Sequence, residues 1–151
     1  MRCIVVLFLM AVSHFAVAEE HTAELEQLFR SYVASWTPEA KISEIVDEYW
    51  YPQGAMFAPE SIVPLPDREA IASLLTSVMQ PVIDAGWQGT ELTGVSVCSM
   101  RDGLALVGMD YRRNFRDGRS TMDGAIYVVI RRDSRWWIAA VMGSDSAAVS
   151  C

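Results

Sequence analysis

Histidine is nearly missing from this chain: two of 151 residues. His14 lies in a stretch that reads as removable, and His21 stands just beyond it. A histidine-rich metal site is therefore excluded, and no cysteine pair has zinc-ligand spacing. Cysteine is also scarce, with Cys3, Cys98 and Cys151 making up the whole count. Glycine-rich phosphate loops and the serine elbow of hydrolases are absent. No run after the first residues is apolar enough to cross a bilayer, which takes about 20 residues. Low-complexity segments, poly-charge tails and internal linkers are lacking too. The sequence thus calls for no metal and no cofactor.

The N-terminus has the order of a secretory leader. Arg2 is a short positive start, Cys3 to Val12 is apolar, and Ala16-Val17-Ala18 is a small-x-small site before Glu19. Residues 1–18 are read as a signal peptide cleaved after Ala18, which places the protein in the periplasm or outside the cell. The mature chain then has 133 residues, 151 less 18, enough for one domain with a real core. Arg2 leaves with the leader, so 12 basic side chains become 11 against 19 acidic, a net charge of −8. Such a surface repels nucleic acid and anionic membranes. Neither is expected as a partner after cleavage.

The first half of the mature chain reads as helix. Leu25, Leu28, Phe29, Tyr32, Val33 and Trp36 follow helical spacing, and Thr37-Pro38 ends the run. Thr37 is expected to cap a second helix with Pro38 at its first position, striped by Ile42, Ile45, Val46 and Tyr49. "YPQGAMFAPESIVPLPD" is a turn-rich connector with room for one or two very short strands. Asp67 caps a third helix through Ile71, Leu74, Leu75, Val78, Met79 and Val82, which Pro81 bends or ends before Gly86. The second half reads as sheet. "RDG" at 101–103, "RDG" at 116–118 and "RDS" at 132–134 separate strands at about 91–100, 104–115, 119–131 and 135–143. The expected class is α+β: three N-terminal helices packed on a curved four-stranded antiparallel sheet, plus short strands.

Cys98 then lies about three strands, ~14 Å, from the last strand. A tail at ~3.3 Å per residue can reach it. Oxidation of Cys98 with Cys151 is permitted, not required; the alternative is one buried and one terminal free thiol.

Two helices, a connector, a third helix and a long meander closing on "VVIRRDSRWWIAAV" resemble the nuclear transport factor 2-like superfamily, which includes SnoaL-like and ketosteroid-isomerase-like proteins. The resemblance covers residues 19–145, with 146–151 as a tail. It implies a cone-shaped barrel with a pocket between helices and sheet, often a dimer through the sheet, and no single activity. Histidine-dependent dehydratase or cyclase chemistry would lack its base here.

Two-residue turns at all three hairpins would put Val95 opposite Asp110, Arg112 opposite Asp123, Asp110 opposite Ala125, Val129 opposite Ile138 and Tyr127 opposite Ala140. One face then carries Asp110, Arg112, Asp123, Tyr127, Trp136 and Met142. The other carries Met109, Tyr111, Ile126, Trp137 and Val141. With the first face inside, Tyr32, Trp36, Tyr127, Trp136 and Met142 line a pocket, and Tyr111, Ile126 and Trp137 form a dimer face. Asp110, Arg112 and Asp123 would be an acid-base set similar in inventory to that of limonene epoxide hydrolases, although Asp-x-Arg is the reverse of that family's order. An ordinary ion pair between Arg112 and Asp123 is the plain alternative. The expected function is binding of a small apolar or amphipathic molecule in the pocket. The alternatives are an acid-base hydrolase or isomerase using the Asp-Arg-Asp set, and a dimeric interaction protein.

Overall fold

The computed structural model describes residues 21–144 and 147–151. The leader, its cleavage position and residues 145–146 lie outside the described residues. Helix α1 occupies residues 21–35 and buries Leu25, Phe29, Tyr32 and Val33. Thr37-Pro38 stops it, but Pro38 sits in a turn and does not open the next helix. Helix α2 runs Ile42–Tyr49 from an N-cap at Lys41. The Ala40 amide bonds the Thr37 carbonyl, so Thr37 closes a turn of its own and caps nothing.

The connector is more ordered than its prolines suggest. β1 (Trp50–Ala58) and β2 (Ser61–Leu65) form a hairpin. Pro64 is tolerated because β2 is an outer strand, where a missing amide donor costs no ladder bond. Helix α3 (Arg68–Asp84) is capped as expected, the Asp67 carboxylate accepting from the Ala70 amide at 2.8 Å. Pro81 lies within it, and the chain turns out at Gly86 with φ +85°.

β3 (Trp87–Arg101), β4 (Leu104–Phe115), β5 (Ser120–Arg132) and β6 (Arg135–Ser144) make the expected antiparallel meander. β1 adds parallel to β6, giving the order β2-β1-β6-β5-β4-β3. The sheet therefore has six strands, curved and unclosed, with the three helices on its inner face. The core is a main apolar cluster of α1, α2, α3 and that face, with a smaller one of Met79, Trp87 and Phe115.

The register departs from the expected one at three places, and each has a local cause. The Asp117-Gly118 turn is a three-residue loop. The Gly118 amide bonds the Phe115 carbonyl, Phe115 pairs with Arg119, and Gly118 has φ +84°. A type I turn closed by a left-handed glycine is the usual three-residue hairpin. It slips β5 by one residue on β4, so Tyr111 opposes Asp123, Asp110 opposes Gly124 and Arg112 opposes Met122. Bulges in β3 put Gly94, not Val95, opposite Asp110. A bulge after Ile138 places Val128 opposite Ala140 and Tyr127 opposite Val141, although Val129 keeps Ile138.

Slipping one residue exchanges the faces of a strand. On β4 the inner face is Ala105, Val107, Met109, Tyr111, Arg113 and Phe115, of which all but half-exposed Tyr111 and Arg113 are buried. Asp110 and Arg112 are on the outer face. Beyond the β6 bulge, Met142 also points out and is 40% exposed. The tail crosses this outer face, and Cys98 and Cys151 form a disulfide with Cα atoms 5.2 Å apart.

Candidate functional site

Between α1, α3, β1 and the inner sheet face lies a cavity of about 220 Å³. Its wall is mostly apolar: Val33 and Trp36 from α1, Trp50 and Met56 from β1, Leu74, Leu75, Val78 and Met79 from α3, and Met109, Ala125 and Val141 from the sheet. Polar atoms enter from Tyr32, Thr90, Tyr111, Arg113 and Tyr127. Small residues make the room. Ala125 on β5 and Gly143 on β6 line it where bulkier side chains would fill it.

The floor is an aromatic cluster. Tyr32 packs edge-on to Trp36, Tyr49 and Tyr127 at centroid separations of 5.9, 5.3 and 5.9 Å. Phe29 lies 4.9 Å from Tyr127. Burial pushes the Tyr32 hydroxyl up to about 12, with Trp50, Trp36 and Tyr127 pulling it partly back. Tyr127 is raised further, by burial first and then by its tyrosine neighbours. Tyr111 is raised by burial, against the opposing pull of Arg113. All three hydroxyls therefore stay neutral donors near pH 7. Trp50 is fully buried beside the Tyr32 hydroxyl, and among the described residues its Nε1 has no well-placed acceptor. A buried N–H left unpaired costs about 1–3 kcal/mol.

The charged edge of the cavity is a closed set. Arg113 donates to Asp123 Oδ2 at 2.9 Å and to the Tyr111 hydroxyl at 3.1 Å, and its guanidinium lies 4.9 Å from the Tyr111 ring centroid. The Thr121 hydroxyl donates to the same carboxylate oxygen at 3.0 Å. This pairing follows from the register: Tyr111 faces Asp123 and Arg113 faces Thr121.

The proposed Asp110, Arg112 and Asp123 set does not assemble. Asp110 is on the outer face, accepting from the Ala147 amide at 3.0 Å. Arg112 pairs with Glu91 at 3.4 Å, both exposed. Asp123 is alone of the three on the inner face, and its guanidinium is Arg113. Tyr32, Trp36 and Tyr127 line the cavity as expected; Trp136 and Met142 do not. Trp136 is buried at the start of α1, its Nε1 donating to Glu24 at 2.9 Å with the His21 ring edge-on at 5.5 Å. Met142 points outward. Tyr111, expected on a dimer face, lines the cavity, while Ile126 and Trp137 remain on the outer face, opposite Met142 and Ile130. Sequence reasoning missed Arg113 and Thr90, while Trp50 was among the aromatics that could cap a pocket or fill the core. No local signal separated the three-residue loop that turns Arg113 inward from the two-residue one, because a left-handed Gly118 fits both.

The profile of the family described as NTF2-like protein (DUF6841) matches residues 20–146. Among solved structures, an uncharacterised Caulobacter vibrioides protein with a cystatin-like fold is 18% identical, with 83% of this chain and 89% of that one covered and a TM-score of 0.62. A Catenulispora acidiphila protein, solved in complex with S-DNPA, is 21% identical over 83% of this chain and 94% of its own, with a TM-score of 0.60. A Novosphingobium aromaticivorans NTF2-like protein with a cystatin-like fold is 16% identical over 89% and 88%, with a TM-score of 0.63. At such identities the likeness speaks for the fold alone. No curated protein matches the chain.

Proposed function

Taking the chain as a member of the NTF2-like family DUF6841, to which it belongs, we propose that its cavity binds a small, neutral, largely apolar molecule carrying one hydrogen-bond acceptor. The observation that carries this reading is an otherwise apolar cavity whose wall includes the half-exposed Tyr111, its hydroxyl kept neutral by burial. That hydroxyl can donate to one acceptor on a ligand. Size sets the class: an apolar cavity of ~150 Å³ holds benzene, so about 220 Å³ suits a substituted single ring or a short branched chain. Charge sets the rest. Arg113 is already neutralised by Asp123, which favours a neutral guest over an anionic one.

Hydrolysis or isomerisation through Asp110, Arg112 and Asp123 has no geometry behind it, because those groups lie on two faces of the sheet. The ionisable side chains that line the cavity are three tyrosines and an arginine, and the nearest carboxylate, Asp123, is committed to Arg113 and Thr121. Export to an oxidising compartment belongs to the same proposal, supported by the leader-like N-terminus and the Cys98–Cys151 bond.

The test is a thermal-shift comparison of acetophenone with ethylbenzene, one ring with and one without an acceptor. Acetophenone is expected to stabilise more. Tyr111→Phe should erase the difference, since one neutral hydrogen bond is worth about 1 kcal/mol, roughly fivefold in affinity. Ala125→Leu, which fills the cavity, should abolish both shifts. Equal shifts in the Ala125→Leu protein would place binding elsewhere and end the proposal.

A further inference from the structure

The outer sheet face carries a trough, and the end of the chain lies in it. Across β3, β4 and β5, Gly94 stands opposite Asp110 and Gly124, Ser96 opposite Gly108 and Ile126, and Cys98 opposite Leu106 and Val128. The tail follows this diagonal. Ala147 is wholly buried and its amide donates to Asp110 Oδ1 at 3.0 Å. Ser96 Oγ donates to the Ala147 carbonyl at 3.4 Å and accepts from the Val149 amide at 2.9 Å. Cys151 closes the path on Cys98.

The sheet is shaped for this occupant. A Cβ on Gly108 would stand 1.5 Å from the Ala147 carbonyl oxygen, and one on Gly124 would meet the Ala147 Cβ at 3.0 Å. Both glycines have ordinary negative φ, so no turn requires them. Their missing side chains make the space the tail fills. Small residues in the tail, Ala147-Ala148-Val149-Ser150, fit the same description from the other side.

We propose that this trough is a docking site for an extended small-residue peptide segment, that its occupant is the chain's own C-terminus, and that the thiol state of Cys98 and Cys151 decides whether the segment stays. In the oxidised chain the strap is closed. A dithiol reductant opens it by exchange: the sulfur–sulfur bond breaks, two thiols form, and the reductant leaves as its own disulfide, two electrons and two protons having passed to the protein. Among the described residues, what remains is three hydrogen bonds at Ala147 and Val149 and a Cys151 thiol 3.8 Å from the Ser99 carbonyl, on a free chain end, and chain ends fray unless tied down.

The experiment is hydrogen–deuterium exchange of residues 147–151 in the mature full-length chain. Three forms are compared: oxidised, reduced with dithiothreitol, and Cys151→Ser. The proposal expects slow exchange at the Ala147 and Val149 amides when oxidised, and acceleration of about tenfold or more in both other forms while the inner strands stay protected. Gly108→Val, with the disulfide intact, is expected to free the Ala147 amide as well. Fast exchange in the oxidised chain would overturn the docking site. Unchanged slow exchange after reduction and in Cys151→Ser would overturn the thiol control. An Ala147 amide still protected in Gly108→Val would overturn the trough.

Discussion

Tyr32 shows how one side chain ties cavity to stability. Its hydroxyl is almost fully buried among Trp36, Tyr49, Trp50 and Tyr127 and is raised to about 12 from an ordinary 10.0. An acid with a folded pKa above its unfolded one contributes stability that is complete below the unfolded pKa. That contribution is lost as pH climbs through the folded pKa. Two units correspond to about 3 kcal/mol. Thermal denaturation from pH 8 to 12 should therefore show a steady fall beginning near pH 10, with Tyr127 and Tyr111 adding to it. Tyr32→Phe should make the fall shallower, because the ring stays and the ionisation goes; an identical pH profile would contradict the assignment. Asp110→Asn is the second residue-scale case. Its carboxylate is on the outer face, and among the described residues its loss weakens the bond to the Ala147 amide. Ligand binding should be unchanged and stability should drop by about 1 kcal/mol in denaturant titration.

Turns and bulges decided which residues met. The β5–β6 hairpin is a two-residue turn in which Asp133 and Ser134 both have positive φ, +52° and +61°. Side chains are disfavoured there, so Ser134→Gly should raise stability by about 0.5–1 kcal/mol, read from the denaturation midpoint. No gain would mean that the turn is held by other contacts. This turn was legible in "RDS", as the Asp67 cap was legible in "PDRE" and the buried stripe of α1 in its spacing. The β4–β5 turn was not. "RDGR" satisfies both a two-residue and a three-residue loop, Gly118 being left-handed in either, and the choice rests on Asp117, which keeps a φ outside the left-handed region. That choice turned Arg113 inward and Asp110 outward, so the fold was readable while the site was read one residue out of step. The bulge near Ala139 was equally hidden. The contact there is long-range: Gly54 of β1 approaches so closely that a Cβ would sit 2.7 Å from the Ala139 carbonyl oxygen. The β1–β2 hairpin was underestimated because its prolines speak locally, whereas β6 supplies the pairing.

At the scale of the whole molecule, a curved sheet keeps its two faces for different tasks. The inner face holds the core and a cavity with neutral donors; the outer face holds the chain's own end. The disulfide joins residues 53 apart in sequence, and a closed loop of that size is worth about 4 kcal/mol through the entropy of the unfolded chain. Cys151→Ser should lose stability of that order, with the inner-face cavity still formed; a negligible change in midpoint would mean that the bond does not persist in solution. The central claim is the cavity and its donor. The most direct measurement is an NMR titration of the mature oxidised chain with acetophenone, following backbone amides and indole N–H signals. The account predicts saturable shifts at the amides of Tyr111, Met109, Ala125 and Tyr127, while Trp137 stays still. Shifts confined to the outer face, or none at Tyr111 at saturating ligand, would contradict it.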